Sequence, residues 1–304
     1  MKDFFPLVSV VVSGRNCKNT ILNTLNSILS QSYQNIEIVY EDADSTDGTQ
    51  ELVRGFLREK KLQDKFVFNS QKDNSVCEGR NIGLSLSHGE YVCFFDTDDI
   101  MLPTRIEKQV DSLEKGKMCS SVAGVRYHTG EEMIPPIDNA PILTKYLRRR
   151  NRLIGGTQFW MYKKEILEEI GGYNESIKCF EDTELTFRYL QVDSNVGIVP
   201  EALSIWENVD DPQRLTMLHN STMSADFIKA SRLCYDQRIN YLLKNLNWSL
   251  LIVNISFLAG YEKKFSSLEY LKIKKDIHTH YSSILKCNTI AWLLYEVIRF
   301  LRRV

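Results

Sequence analysis

Tyr91-Val92-Cys93-Phe94-Phe95-Asp96-Thr97-Asp98-Asp99 is an apolar run that ends in a cluster of acidic residues. The apolar part predicts a strand that is buried on both faces of a sheet. Three carboxylates within four positions repel each other unless a cation lies among them. Ligands of open α/β sheets bind at the carboxyl ends of the strands. The stretch therefore predicts a metal site for an anionic substrate, although an acidic turn before a helix near Pro103 would also explain it.

Strand patterns and helix patterns alternate on both sides of this stretch. Apolar runs and amphipathic spacing predict, before it, strands at 7–12, 36–40 and 65–69 and helices at 20–30, at 74–87 and from the polar turn at 41–49 to about Leu57. After it, they predict strands at 119–126 and 159–162, helices at 164–170 and 181–191, and mainly helices from about Ser224 onward. The alternation predicts an α/β fold with a parallel sheet and right-handed crossovers.

The size and composition are those of an ordinary globular protein. A length of 304 residues fits one large α/β domain with an appendage, or two modest domains. Hydrophobic residues make up 43% of the chain and charged residues 25%, both usual for soluble proteins. The formal net charge of −1 argues against a nucleic-acid partner.

The cysteines and the apolar segments bear on localisation. The chain has seven cysteines, an odd number with no CxxC pair, which favours reduced, buried thiols in a cytoplasmic protein. The N-terminal residues 1–6 lack the apolar core of a signal peptide. The longest uncharged apolar stretch, 248–260, has only 13 residues. We therefore expect a cytoplasmic protein without a membrane-spanning helix.

Five segments of the chain follow one another in the order of a known enzyme family. They are 8–16, the turn 42–49, the segment 74–83 with Gly79-Arg80-Asn81 inside it, Asp96-Thr97-Asp98, and Gly171-Gly172-Tyr173-Asn174-Glu175 followed by Glu181-Asp182. Together they span about residues 7–224 and resemble glycosyltransferase family 2. The turn has Ala43 and Asp44 where the family motif DDGSTDGT has Asp and Gly, and Ser13-Gly14-Arg15 stands where Pro-Thr-Tyr is common.

The resemblance implies a fold and an activity. The fold would be GT-A, a Rossmann-like α/β fold with a mostly parallel sheet flanked by helices. A catalytic domain would cover 1–224, with a nucleotide-binding half at about 1–117 and an acceptor half at about 118–224, and a helical extension would cover 225–304. The activity would be metal-dependent, inverting transfer from a nucleoside-diphosphate sugar, with UDP-sugars favoured. The acceptor would be a saccharide or lipid-linked saccharide, as in the synthesis of bacterial surface polysaccharides.

The resemblance also implies roles for single residues. The donor nucleotide would contact Ser13, Gly14, Arg15, Asp42, Arg80, Asp96 and Arg214, with Asp42 accepting the imide N–H of a uracil-like base and Arg80 facing the diphosphate. A divalent cation, Mg²⁺ or Mn²⁺, would bind Asp98, with His219 as a further ligand and Asp96 contacting the ribose or reaching the cation through water. Asp182 would be the catalytic base, Glu181 would orient a neighbour or the acceptor, and Asp99 would cap a helix.

Each of these roles has a simpler structural alternative. Asp42 suits a turn, and Arg80 could form a surface ion pair. Glu181 and Asp182 lie at a predicted helix start, where acidic residues are favoured in any case. A lone histidine such as His219 is more often structural than a ligand.

Three further features concern the acceptor and the membrane. Residues 210–224 would form a lid ordered by the donor, and the basic cluster 148–152 would contact an anionic acceptor or lipid headgroups, or simply face solvent. The apolar tail 290–304 carries Arg299, Arg302 and Arg303 near its end, as expected of an interfacial helix in peripheral contact with the inner face of the plasma membrane. A helix packed on the catalytic domain, or on a second copy in a homo-oligomer, would have nearly the same sequence.

Two other functions fit part of the sequence. Phosphohydrolases of the haloacid dehalogenase type have a strand followed by DxDx(T/V), but here Ile100 occupies the fifth position and two strand–helix units come first. A non-catalytic relative that binds nucleotide sugars is the other alternative. The presence of Asp96, Asp98 and Asp182 together argues for retained chemistry.

Overall fold

The computed structural model describes residues 5–62, 65–72, 75–116, 120–127, 129–135, 156, 159–206, 230, 233–234, 237–238 and 241–242. The chain divides into two compact units, Met1–Tyr146 with Arg150–Ala230, and Leu147–Arg149 with Ser231–Val304. Every helix and strand named below belongs to the first unit. The domain boundary at 224/225 stays a prediction.

Four parallel strands form the N-terminal half of the sheet. They are β1 (Val8–Gly14), β2 (Ile36–Asp42), β3 (Phe66–Ser70) and β4 (Tyr91–Phe95), in the order β3-β2-β1-β4. The helices between them are α1 (Ile21–Leu29), α2 (Thr49–Lys60) and α3 (Val76–Leu86). The predicted elements of this half are confirmed, with ends that differ by a few residues.

The second half of the sheet is mixed. Its elements are β5 (Ile100–Met101), α4 (Arg105–Gly116), β6 (Ser120–Tyr127), β7 (Glu132–Met133), β8 (Trp160–Lys163), α5 (Lys164–Glu169), α6 (Glu181–Val192) and β9 (Val196–Trp206). The sheet continues from β4 in the order β8-β6-β9-β5, with β7 paired to β6. β8 is antiparallel to β4 and β6, whereas β6 and β9 are parallel. The expected α/β class is therefore confirmed, with the parallel part confined to β3-β2-β1-β4 and β6-β9.

The sequence patterns did not predict β9, which is the longest strand described. Pro200 and Glu201 are exposed in its middle. The pairing with β6 shifts register there, because Val122 lies opposite Ile198 and Gly124 lies opposite Ala202. Proline cannot donate a ladder hydrogen bond and is tolerated in a sheet at such irregularities. Pro200 therefore interrupts the sequence pattern by which a strand is predicted.

The core of this unit lies on both faces of the central strands β1 and β4. Val10, Val11, Cys93 and Phe94 are at most 1% exposed, as expected of parallel strands covered on both sides. A Cβ atom added at Gly83 of α3 would lie 2.3 Å from Val11 Cγ1. The absence of a side chain at Gly83 therefore lets α3 pack closely against β1.

The described cysteines agree with the expectation of buried thiols. Cys17, Cys77 and Cys93 are buried free thiols, and Cys179 and Cys234 are buried as well. In the part of the chain that the structure describes, no helix combines the length and apolar character needed to cross a bilayer. The stretch 248–260 lies outside the described residues.

Glu37 of β2 connects the N-terminal ends of the parallel strands. Its carboxylate accepts hydrogen bonds from the Ser9 hydroxyl and from the backbone N–H groups of His88 and Gly89, and its second oxygen lies 3.1 Å from His88 Nδ1. Burial alone would raise the pKa of Glu37, but the hydrogen bonds from Ser9 and His88 lower the pKa below its usual value of 4.5. Glu37 therefore links β1, β2 and the turn before β4.

We predict that Glu37 makes folding sensitive to acid. Because the pKa of Glu37 is lower in the folded state, its stabilisation is complete above the unfolded-state pKa and is lost as the pH falls through the folded-state pKa. The variant Glu37→Gln should lower the free energy of unfolding at pH 7 by about 1–3 kcal/mol and should show a shallower loss of stability below about pH 4.5. Urea unfolding between pH 2 and 7 measures both effects.

The exposed Glu59→Gln variant of α2 is the matched control and should follow the wild-type curve. Equal stability of Glu37→Gln and wild type at pH 7 would contradict this role of Glu37.

Candidate active site

The sheet brings three predicted site segments to one edge. β1, β2 and β4 are parallel neighbours, so their carboxyl ends lie side by side. Gly14 pairs with Asp42, and Asp96 directly follows β4. A Cβ atom added at Gly14 would lie 2.5 Å from Thr97 Cγ2. The loop after β1 therefore lies close against the acidic loop Asp96–Asp99 after β4, and a side chain at position 14 would require Thr97 to move.

Arg80 on α3 joins the acidic strand end to the start of α6. Its Nη2 donates a hydrogen bond to Asp96 Oδ1 at 3.0 Å. Its Nη1 donates to Asp182 Oδ1 at 3.0 Å and to Glu181 Oε1 at 3.3 Å. The Arg80 side chain is only 8% exposed, whereas those of the three carboxylates are 20–32% exposed. Residues from three separate sequence motifs thus form one cluster around a single guanidinium group.

The charges of this cluster stabilise one another. Burial alone would lower the pKa of Arg80, but the negative potential from Tyr173, Asp182, Asp96 and Glu181 reverses this and raises its pKa well above the ordinary value. The guanidinium also lies over the Tyr173 ring, 5.2 Å from its centroid, a distance suited to a cation–π contact. Three carboxylates around one cation leave the cluster with an excess of negative charge.

Asn81, next to Arg80, holds the Gly-Gly-Tyr turn against α3. Its Oδ1 accepts the N–H of Tyr173 at 2.7 Å, and its Nδ2 donates to the Tyr173 carbonyl at 3.0 Å. Gly171 and Gly172 have φ angles of 77° and 64°, which favour glycine. A Cβ atom at Gly172 would lie 2.4 Å from Asn81 Oδ1. Gly172 therefore allows the close contact with Asn81, and the positive φ angles of both glycines shape the turn that places the Tyr173 ring beneath Arg80.

The start of α6 is fixed from its other side by an ion pair. Glu184, 1% exposed, pairs with Arg188 at 2.7 Å. Arg188 also donates to the carbonyls of Ile170 and Gly172, both at 2.7 Å. Phe180, immediately before α6, has a φ of 57°, a conformation that bulky residues rarely adopt. The backbone that carries Glu181 and Asp182 is thus held by specific contacts in a strained turn.

Asp42 at the end of β2 is fully buried. Its Oδ1 accepts the N–H of Ser45 at 2.7 Å, and its Oδ2 accepts the Tyr40 hydroxyl at 3.1 Å. These are the contacts of the turn residue that the simpler alternative predicted. Ser13 and Gly14 are partly exposed and Arg15 is exposed beside it, so the four residues lie together at this edge of the sheet.

The turn after Asp42 interlocks with the loop after β1. Asn16 Oδ1 accepts the N–H of Thr46 at 2.9 Å, and Asp47 Oδ2 accepts the N–H of Lys18 at 3.1 Å. Asp44 has a φ of 55°, a conformation that aspartate tolerates and glycine prefers. This explains why the related family motif has glycine at this position and why aspartate can replace it.

Asp96 and Asp98 are the described candidates for binding a cation. Both are partly exposed at the strand end, and carboxylate oxygens suit Mg²⁺ and Mn²⁺. Among the described residues, no three His, Cys, Asp or Glu side chains form a ready-made metal site. Mg²⁺ is usually held by one or two carboxylates together with substrate phosphates. The donor chemistry of the two aspartates therefore fits a cation that binds together with a phosphorylated substrate.

The expectation that Asp99 caps a helix is wrong. Asp99 is fully buried and precedes β5, and α4 begins only at Arg105. The buried Arg105 donates to Gln109 Oε1 at 3.0 Å and to Ser204 Oγ at 2.8 Å. Burial lowers the pKa of Arg105, and the charge of Asp99 partly offsets this. Asp99 is therefore the buried end of the acidic loop and lies near the buried Arg105.

Several predicted features lie outside the described residues. They are Arg214 and His219, the lid 210–224, the basic cluster 148–152 and the tail 290–304.

Sequence reasoning missed the residues that support the site from behind. Thr24, Ser27 and Gln31 are buried; Thr24 bonds the backbone of the acidic loop, and Ser27 and Gln31 bond the backbone of the residues that follow it. Their spacing of three and four residues along and just beyond α1 is a helical period, so the signal was a polar stripe within an otherwise apolar helix face. Asn81 was visible only as part of a motif, without its partner Tyr173.

Comparison with known proteins supports the resemblance. The family described as Glycosyl transferase family 2 matches residues 9–171. The chain is 34% identical over 149 residues to the Escherichia coli protein named UDP-Glc:alpha-D-GlcNAc-diphosphoundecaprenol beta-1,3-glucosyltransferase WfaP, covering 46% of this chain and 56% of WfaP. It is 29% identical over 201 residues to the putative glycosyltransferase EpsE of Bacillus subtilis, covering 61% of this chain and 67% of EpsE.

Solved structures agree at the level of the fold. The crystal structure of S. aureus TarS 1-349 in complex with UDP-GlcNAc superposes with a TM-score of 0.69 at 17% identity, covering 98% of this chain and 91% of that chain. The match to the family overrules the phosphohydrolase alternative. Because it covers more than half of the chain, the chain belongs to glycosyl transferase family 2, and its fold is GT-A.

Proposed function

We propose that this glycosyltransferase is metal-dependent and inverting, and that it moves a sugar from a UDP-sugar to a saccharide or lipid-linked saccharide. The observation that carries the proposal is the position of Arg80. One guanidinium contacts Asp96, beside the predicted cation residue Asp98, and Asp182, the predicted base. A donor diphosphate near Asp96 would therefore lie within one side-chain length of the group that activates the acceptor.

The residues at the carboxyl ends of β1 and β2 and the names of the relatives support a UDP-sugar as the donor. Asp42 and the segment Ser13–Arg15 lie at the same sheet edge as Asp96, so a nucleotide bound along this edge would reach the acidic loop with its diphosphate. WfaP is named for UDP-Glc, and TarS has been crystallised with UDP and with UDP-GlcNAc. We infer the same donor class for this chain.

In the proposed reaction, Asp182 accepts the proton of the acceptor hydroxyl while the oxygen of that hydroxyl forms the new glycosidic bond. The bond between the anomeric carbon and the diphosphate breaks in the same step, so the configuration inverts and no covalent enzyme intermediate forms. Arg80 orients the Asp182 carboxylate through its hydrogen bond, and it contributes positive charge beside the departing diphosphate. Glu181, on the same guanidinium, helps to orient Arg80 or the acceptor.

A divalent cation would be held by Asp98 and Asp96, and when bound it neutralises charge on the diphosphate. His219 and Arg214 would complete the donor site from the lid.

The relatives and the sequence of the tail support a proposal for the acceptor and for the location of the protein. WfaP is named for a diphosphoundecaprenol-linked acceptor, and TuaG of Bacillus subtilis, 30% identical over 125 residues, is named for teichuronic acid biosynthesis. We propose a lipid-linked acceptor of cell-envelope polysaccharide synthesis. A cytoplasmic protein with a helical extension at 225–304, in peripheral contact with the inner face of the plasma membrane, would meet such an acceptor.

We predict that Asp182→Asn separates binding from transfer. The amide retains an oxygen that can accept the Arg80 hydrogen bond, but it cannot take up a proton. UDP binding should persist, whereas sugar transfer should fall by about 10²- to 10⁴-fold. The measurements are the thermal shift with UDP and MnCl₂, and UDP release from UDP-sugars with acceptor.

The control for this variant is Glu169→Gln, an exposed change on α5, which should behave as wild type. Normal transfer by Asp182→Asn would refute the role of Asp182. A wild-type protein that binds UDP but transfers no sugar to any acceptor would instead favour the non-catalytic alternative.

We predict that Asp98→Asn removes the Mn²⁺-dependent part of UDP binding, because a neutral amide attracts a hard cation less strongly than a carboxylate does. Titration of UDP at fixed MnCl₂, followed by thermal shift, measures the effect, and Glu59→Gln is again the control. An unchanged UDP affinity in the presence of Mn²⁺ would contradict the assignment of Asp98.

A further inference from the structure

The segment that runs from the acidic loop after β4 to the start of α4 is fastened to α1 and the turn after it by a row of polar contacts. Ser27 Oγ accepts the N–H of Met101 at 3.0 Å. Gln31 Nε2 donates to the Leu102 carbonyl at 2.8 Å, and its Oε1 accepts the N–H of Ile106 at 3.1 Å. Residues further along α1 and the turn after it thus bond residues further along this segment, so the two run side by side in register.

Thr24 occupies the first place in this row. Its Oγ1 lies 3.0 Å from the Thr97 carbonyl and 2.9 Å from the Asp99 carbonyl. A threonine hydroxyl has a single hydrogen to donate, so the two carbonyls share it. These carbonyls belong to the residues immediately before and after Asp98. The Thr24 side chain is fully buried.

We propose that Thr24 is a positioning residue for Asp98. This inference rests on the proposed role of Asp98 in binding a cation with the donor diphosphate. By holding the carbonyls on both sides of Asp98, the hydroxyl limits the rotation of the backbone that carries the carboxylate. Gly14 contacts the Thr97 side chain from β1, so the residue before Asp98 is held from a second direction. Ligand carboxylates generally depend on such supporting hydrogen bonds.

The test compares Thr24→Val, which keeps the shape of the side chain but lacks the hydroxyl, with Thr24→Ser, which keeps the hydroxyl. The readout is the MnCl₂ concentration that gives half of the maximal thermal shift with saturating UDP. Thr24→Val should raise this concentration by about 10- to 100-fold, the usual cost of losing a supporting contact behind a metal ligand. Thr24→Ser should restore a value close to that of wild type.

Ile28→Val is the control for a loss of stability alone. Ile28 is a core residue of the same helix, 1% exposed, and its shortening lowers the melting temperature without touching the acidic loop. It should leave the half-saturating MnCl₂ concentration unchanged. If Thr24→Val does not fold, Thr24→Cys replaces it, because a thiol is a weak donor, and the same increase is expected.

A Thr24→Val protein that melts earlier but needs no more MnCl₂ than wild type would overturn the positioning role alone. A wild-type protein whose UDP response does not depend on MnCl₂ would overturn this inference together with the metal-dependent function.

Discussion

The site depends on the burial of one positive charge among three negative ones. Asp96, Glu181 and Asp182 come from two different segments of the chain, and without Arg80 their repulsion would separate the strand end from α6. A buried guanidinium in turn requires these carboxylates, because an unpaired charge in the interior is strongly unfavourable. The strand end on the donor side and α6 on the acceptor side of the proposed reaction therefore stabilise each other through Arg80.

Neutral polar contacts surround this charged centre and restrict its geometry. Asn81 holds the backbone of Tyr173, whose ring lies beneath Arg80. Thr24 holds the backbone around Asp98 from α1. In both places the supporting side chain lies on a helix that packs on the sheet, and it bonds backbone groups of a loop. Such an arrangement transfers the rigidity of the core to loops that must present reactive groups.

The sequence was sufficient to predict most helices and strands, but it was not sufficient to predict the contacts between them. The strand Tyr91–Phe95 was predicted with its observed bounds because its apolar run ends abruptly in acidic residues. β9 was missed because Pro200 interrupts its pattern at a change of register. Arg80 was predicted from a motif, but its partners lie 16 to 102 residues away in the chain, and no local pattern reports such a distance. Thr24 resembled an ordinary polar residue on a helix until its loop partner was visible.

The central claim is that Arg80 couples the strand end to α6, and a double-mutant cycle tests it most directly. The free energies of unfolding of wild type, Arg80→Met, Asp182→Ala and the double variant are measured in urea at pH 7. If the two residues form one cluster, the double variant should be less destabilised than the sum of the single variants, with a coupling of about 1–3 kcal/mol. Additive effects, with a coupling near zero, would contradict the account.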